Sequence, residues 1–338
     1  MPGTSADHVQ LAHGEGTRAS RWLIDEVIQS ELNTRRPYSD AAHVPVSGTQ
    51  IAVATDSHTV WPLFFPGGNI GSLAVYGTVN DLAVSGAIPR WITLSLILEE
   101  GLPLQTLRRI MAAISSAATE CRVTVVTGDT KVVPRGAADG IFINTTGIGE
   151  ITGPVPSGPS MIREGDAVLV SGPIGSHGIA VLCSREQLEF DNLPISDSAS
   201  LLTPVRLLIE HGGADVRCLR DATRGGVSAV LHEWAGESSC GFELTESQIP
   251  VAPNVRGACE LLGLDPLHVA NEGMFAAVVT AHSAAGLTEL LRTQGGLSAA
   301  AVIGKVRSAG ICPVSVIRSL GTARPLDEPT GSPLPRIC

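Results

Sequence analysis

Gly153-Pro154-Val155-Pro156-Ser157-Gly158-Pro159-Ser160 is a stretch that neither a helix nor a strand can cross. Its prolines remove backbone donors and fix φ, while its glycines loosen the chain between them. Apolar runs on either side fall into two separate blocks. Before the break, periodicity predicts strands over 51–55, 91–98, 123–127 and 140–147, with helices over 70–86 and 104–120. After it, strands are predicted over 167–171, 216–219, 274–280 and 300–306, with helices over 178–187, 198–211, 226–237 and 283–294. Each block mixes strands with helices, so the chain reads as two α/β (or α+β) domains, 1–155 and 156–308. Residues 309–338 are left as a tail.

Composition bounds the function. Of 338 residues, 43% are hydrophobic and 17% charged, which is the balance of a folded globular protein. The net charge of −10 argues against nucleic acid as a partner, since phosphate binding needs clustered Lys and Arg. Residues 1–16 are polar and lack the apolar centre of a signal peptide. The run 57–80 contains no Asp, Glu, Lys or Arg, yet His58, Pro62, Pro66, Gly67, Gly68 and Asn69 break it as a membrane span. Seven scattered cysteines form neither a disulfide framework nor a CxxC metal site. A cytoplasmic protein is expected.

From Gly321 onward the chain carries four prolines and two glycines, and little apolar material. Such a segment is expected to stay extended, spanning roughly 55 Å at about 3.1 Å per residue. A domain of this size is about 40 Å across, so the tail can reach a distant pocket. It ends Pro335-Arg336-Ile337-Cys338. A thiol there can be loaded, swung into a pocket and swung out again, with reactivity set by access and local charge. The plainer alternative is an unstructured end that stops on Cys. Prenylation is excluded, because it needs Cys four residues from the end.

Three aspartates stand where an apolar core does not favour them. Asp56 follows the strand 51–55, and Asp129 follows 123–127 within Gly128-Asp129-Thr130-Lys131. Asp81 falls on a helix face that otherwise reads Ile70, Leu73, Ala74, Gly77 and Val84. A carboxylate in that stripe is costly unless a cation or several donors meet it. Singly, each reads as a capping or turn residue. Together they suggest a shared Mg²⁺ site, since magnesium takes few carboxylates and leaves positions for water and phosphate. A P-loop pattern is absent. Glycine-rich stretches occur at 13–16, at Gly67-Gly68 and over 221–226, where Asp221-Ala-Thr-Arg-Gly-Gly226 leads into a helix in the manner of an anion site. Each alone is more often a turn. Lys131 is one of two lysines and sits two residues from Asp129, a point charge suited to phosphate or simply a surface lysine. Glu272, in Asn271-Glu272-Gly273, reads as a turn residue or, with its pKa raised by partial burial, as a general base. His13, His58, His177 and His268 have no metal-ligand spacing and take structural readings.

These motifs add up to a resemblance. Phe65-Pro-Gly-Gly-Asn-Ile-Gly71, Gly77-Thr-Val-Asn-Asp-Leu-Ala83, the segments 126–136, 172–178 and 221–226, Arg256 to Pro266, and Ala270-Asn-Glu-Gly273 resemble the HypE family of hydrogenase maturation proteins. The resemblance runs over 13–338, and the ending Pro-Arg-Ile-Cys is its most specific element. Relatives in the same superfamily are aminoimidazole ribonucleotide synthetase, selenophosphate synthetase and thiamine-monophosphate kinase. The N-terminal loop from His13 lacks a glycine the family tends to have, and Ala222 stands where Pro is usual.

The resemblance implies two α/β domains whose N-terminal strands pair across a two-fold axis into a barrel, hence a homodimer. It implies ATP and Mg²⁺ between the domains. HypF would place a carbamoyl group on Cys338, the S-carboxamide would lose water to give a thiocyanate, and cyanide would pass to iron held by HypC and HypD for a nickel–iron hydrogenase. Cys338 is then the carrier, Glu272 the base and Lys131 the phosphate-steadying group. Gly67, Gly68, Asn80, Gly128, Thr130, Lys131 and Asp221 surround the nucleotide, with Asp56, Asp81 and Asp129 on the metal. Two rivals remain: a superfamily phosphotransferase acting on a small free substrate, and a non-enzymatic scaffold whose tail docks onto partners.

Overall fold

The structure is a computed structural model that describes residues 8–10, 22–32, 50–188, 192–319, 321–329 and 336–338. The glycine-rich stretch 13–16 lies outside them. In the first half, β1 (Gln50–His58) leads through a short hairpin, β2 (Phe64–Phe65) and β3 (Gly68–Asn69), into helix α1 (Ile70–Val84). Then come β4 (Ile88–Glu99), α2 (Leu104–Glu120), β5 (Thr124–Val133) and β6 (Ile141–Ile151). The sheet runs β1-β6-β4-β5, with only β4 and β5 parallel.

Local chemistry fixes where α1 begins. The Asn69 side chain accepts from Gly71 and Ser72 N–H, and Ser72 Oγ accepts in return from Asn69 N–H, a capping box. Sequence periodicity gave α1 one apolar stripe, whereas the helix is buried on nearly every side. The sheet lies on one flank and the second half of the chain on the other, so Asp81 is its only charged residue. Helix α2 is amphipathic, burying Leu104, Leu107, Ile110, Met111 and Ile114.

In the second half the order is β7 (Ala167–Val170), α3 (Ser176–Arg185), α4 (Leu202–Gly212), β8 (Val216–Asp221), α5 (Gly226–Ser238), β9 (Cys240–Thr245), α6 (Pro253–Leu262), β10 (Phe275–Val279), α7 (Ala284–Thr293), β11 (Ala301–Ser308), β12 (Val314–Ile317) and β13 (Ala323–Pro325). Its seven-stranded sheet runs β13-β12-β9-β11-β7-β10-β8. Strands β7 and β10 are buried throughout because helices cover both faces. Val168, Val170, Ala276 and Val278 pack with Val227, Leu231 and Trp234 of α5. The alternate residues Leu169, Phe275, Ala277 and Val279 pack with Val205 and Leu208 of α4 and Leu287 and Leu291 of α7.

Two expectations need correction. Strands β1 and β5 do not stop before Asp56 and Asp129 but carry both residues within them, because ladder pairing to β6 and β4 continues past the apolar run. Residues beyond 308 do not all leave the fold: β12 joins β9 in parallel, with Val314 and Val316 buried, and β13 adds the edge. Strand β9 and helix α6 add to the predicted elements, and β9 is held by its neighbours β11 and β12. Among the described residues no helix is long and apolar enough to cross a membrane.

Candidate active site

Strand alternation divides the residues singled out in the sequence. Asp56 shares a row across the first sheet with Thr145, Leu94 and Gly128, on the face covered by α1. A Cβ on Gly77 of α1 would lie 3.2 Å from Asp56 Oδ2 and 3.0 Å from His58 Cε1. A glycine there lets the strand side chains reach past the helix. Asp81 lies one helical turn further along α1. From the other half, Asp221 ends β8 and Glu272 sits just ahead of β10.

These carboxylates feel one another, Asp221 and Glu272 buried and Asp56 and Asp81 half-buried. Burial raises the Asp81 carboxyl to about 7, with Asp221 and Asp56 adding to the effect and Arg220 opposing it. Burial likewise lifts Asp221 to about 6, against Arg220 and reinforced by Asp56. Asp56 is raised by burial, with Arg224 opposing. Glu272 is pushed well above the carboxylate range, by burial first and then by Asp221, Asp197, Asp56 and Asp81. The Cys338 thiol is in the same place: burial raises it to about 12, Glu272 and Asp56 add, and Arg224 opposes.

Backbone bonds hold the last residues there. Thr59 donates from both N–H (2.9 Å) and Oγ1 (3.1 Å) to the main-chain oxygen of Cys338, and Trp61 N–H donates to Arg336 O at 3.4 Å. Arg336 Nε returns a bond to Thr59 O at 3.1 Å, and its guanidinium pairs with Asp139. Arg185 Nη2 donates to Arg336 O at 2.6 Å. Ile337 is 2% exposed within a core cluster that both halves share, and its carbonyl accepts from His177 Nε2 at 2.9 Å.

Asp129 and Lys131 point to the opposite face of the sheet, in rows with Ser95 and Ile97. Their side chains are 62% and 67% exposed and pair with each other at 3.4 Å. Within one chain the trio Asp56, Asp81 and Asp129 is therefore not assembled, because strand period two sends Asp129 away. Asn80, expected at nucleotide, is 1% exposed and braces the two halves. Its Nδ2 donates to Ala199 O (3.0 Å) and Glu272 O (3.4 Å), and its Oδ1 accepts from Leu201 N–H at 2.8 Å. Gly67 packs on Ile195 and Ser196, Gly68 on the Phe65 ring and Gly128 on Leu94 O. Thr130 continues β5 on the half-buried side.

Among the described residues no group of three or more His, Cys, Asp or Glu side chains is close enough to hold a metal. Asp56 and Asp81 nevertheless offer hard oxygen donors with unbalanced negative charge around them. Magnesium is commonly held by one or two carboxylates, the rest of its shell coming from water and phosphate. Those two residues fit it.

Several site residues went unseen in the sequence. Asp197 accepts from the backbone N–H groups of Glu272 (3.2 Å) and Gly273 (3.1 Å). His177 lay within a quoted motif, but nothing in its spacing indicated that it grips the tail. Arg224 is the positive neighbour of Asp56, His58 and Cys338 alike. Its place in the turn before α5 was the only available signal.

The models of the AIR synthase related protein family match this chain over residues 38–151 (N-terminal domain) and 163–315 (C-terminal domain). "Carbamoyl dehydratase HypE" of Rhizobium leguminosarum bv. viciae is 45% identical over 332 residues, covering 98% of this chain and 95% of that protein. The chain belongs to the HypE family. A crystal structure of the hydrogenase maturation protein HypE in complex with ATP superposes with a TM-score of 0.91 at 44% identity, covering 97% of this chain and 99% of that one. HypE in a HypE–HypF complex superposes at 0.79 and 43% identity, over 82% of this chain and 90% of that one. The HypE resemblance thus covers both halves.

Proposed function

We propose that this chain is an ATP-dependent carbamoyl dehydratase that converts an S-carboxamide on Cys338 into a thiocyanate. The observation that carries this reading is the docking of Cys338, held by Thr59, into a buried cluster containing Glu272. A carboxamide oxygen is a poor leaving group. In the proposed reaction it attacks the γ-phosphorus of ATP, and the bond from that phosphorus to the bridging oxygen breaks with its electron pair to ADP. The nitrogen then loses its two protons in turn, the carbon–nitrogen triple bond forms, and the carbon–oxygen bond breaks to release phosphate. Glu272 is assigned the role of proton acceptor, since it is the buried carboxyl group that neighbours Cys338 in the cluster. Thr59 and His177 hold the carrier residue in place, which keeps the reacting atoms in register.

Asp56 and Asp81 would hold magnesium, which when bound supplies charge neutralisation for phosphates in a cluster that otherwise repels them. Asp221 and the glycine turn before α5 are assigned to the nucleotide. Asp129 and Lys131 are given no step. HypF is proposed as the source of the carbamoyl group, and HypC with HypD as the acceptor that passes cyanide to iron. A mobile tail would let Cys338 meet each of them, and ATP together with a free thiol suits the cytoplasm. The exposed sheet face bearing Ile51 (51%) and Val53 (60%) is proposed to close against a second copy as a barrel, giving a homodimer.

Heavy-oxygen labelling tests the chemistry. With the label in the carboxamide of carbamoylated Cys338, it should appear in the phosphate released after ATP is added. Unlabelled phosphate would show that the cargo oxygen is never phosphorylated.

A further inference from the structure

One loop, residues 195–201, touches His177 beside the tail, the backbone of Glu272 and the amide of Asn80. At one end, Ser196 N–H donates to Pro66 O at 2.9 Å, tying the loop to the first half. Ser196 Oγ lies 2.8 Å from Nδ1 of His177, whose Nε2 is 2.9 Å from the Ile337 carbonyl oxygen. Next in line, Asp197 accepts from Glu272 N–H and Gly273 N–H, and the His177 backbone N–H also favours its carboxylate. Beyond that, Ala199 O and Leu201 N–H grip the Asn80 amide, which also reaches Glu272 O. The fit is close, since a Cβ on Gly273 would meet Asp197 O at 1.7 Å. Neighbouring loop residues therefore read the tail on one side and hold the backbone of Glu272 on the other.

We infer that the loop 195–201 makes the placement of Glu272 conditional on the docking of the tail, with His177 and Asp197 as positioning residues. This rests on the proposed role of Glu272. The physical reason is an unpaired donor. His177 is wholly buried beneath the docked tail, so when Ile337 withdraws its Nε2–H loses the acceptor that fixes the ring against Ser196. That loss favours a different arrangement of His177 and Ser196, and Asp197, the next residue of the loop, holds the backbone N–H groups of Glu272 and Gly273. A docked tail thus stabilises the loop state that fixes Glu272, and by reciprocity a fixed Glu272 stabilises the docked tail.

Two readouts on the full chain separate the links. One is the alkylation rate of Cys338, followed by peptide mass with Cys312 as internal control. The other is single-turnover water loss from carbamoylated Cys338. The His177→Phe variant keeps the ring but removes both bonds, and should speed alkylation about tenfold and slow water loss. The Asp197→Asn variant removes no contact to the tail, yet should speed alkylation by about threefold or more and slow water loss. In the double variant, alkylation should stay within about twofold of His177→Phe alone, because both act through one element. Wild-type alkylation in Asp197→Asn, or effects that simply multiply, would overturn the coupling. Should Asp197→Asn not fold, Ser196→Ala breaks the same chain of contacts without touching Cys338 or Glu272. Faster alkylation there supports the coupling and an unchanged rate overturns it. Failure of the wild type to lose water at all would instead overturn the dehydratase reading, while the alkylation arm still decides the coupling.

Discussion

His177 Nε2 lies 2.9 Å from the carbonyl oxygen of Ile337, and both residues are buried. A carbonyl only accepts, so Nε2 carries the ring proton and Nδ1 accepts from Ser196 Oγ–H. Burial keeps this ring neutral, lowering its pKa to about 4. A histidine without metal-ligand spacing is thus the group that recognises the residue before Cys338.

Replacing Glu272 with Gln should slow water loss from loaded Cys338 by about a hundredfold or more, the range for losing a general base. Cys338 alkylation should change little, because Thr59 and His177 still hold the tail. A variant that dehydrates its cargo at the normal rate would remove Glu272 from the chemistry.

Thr59→Val deletes one of the two bonds to the main-chain oxygen of Cys338 and keeps the backbone donor. The lost hydroxyl is worth about 1 kcal/mol, so the fraction of undocked tail should rise roughly fivefold. Reaction of Cys338 with an alkylating reagent reads this directly, and an unaltered rate would show that the hydroxyl contributes nothing to docking.

Much of the fold was legible because α2, β7 and β10 carry their burial in their residue patterns. Long apolar runs and an amphipathic heptad-like face survive any reasonable tertiary context. Asp56 and Asp81 could be picked out as carboxylates at apolar segments, Asp221 within a glycine-rich turn and Glu272 ahead of a strand, and the structure brings them together with Cys338. Asp129 and Lys131 could not be placed, since their face depends on how far β5 continues past its apolar core and on register with β4. Asn80 lay in a family motif, yet its amide is occupied by backbone groups some 120 residues away. Contacts of that kind leave no local trace in a sequence, and neither do those of Asp197 and His177.

The Asp81 carboxyl makes a signed prediction about pH. Its folded pKa, raised to about 7, lies above the unfolded value near 3.9, so its contribution is fully present below about pH 4 and is lost as pH rises through about 7. In magnesium-free buffer Asp81→Asn should therefore be near neutral for stability at about pH 4 and stabilising by on the order of 2 kcal/mol at about pH 8. Urea midpoints at both pH values test it, and a gap that shrank with rising pH would contradict the sign. Magnesium with ATP should raise the melting temperature of the wild type more than that of the variant.

Gly67 has φ +91°, and a Cβ there would come within 2.7 Å of Ser196 O and Ile195 Cγ2. Gly67→Ala should cost about 2 kcal/mol from backbone strain and crowding. Because Ser196 moves with it, Cys338 alkylation should also accelerate. Chemical denaturation showing no loss would mean that the two halves separate at this contact without penalty.

Intact-mass analysis of protein carbamoylated on Cys338, before and after ATP, addresses the central reading most directly. Loss of one water, mapped to Cys338 and absent without nucleotide, is the expected result. ATP turnover with the carbamoyl mass unchanged, or turnover that persists in Cys338→Ala, would contradict it.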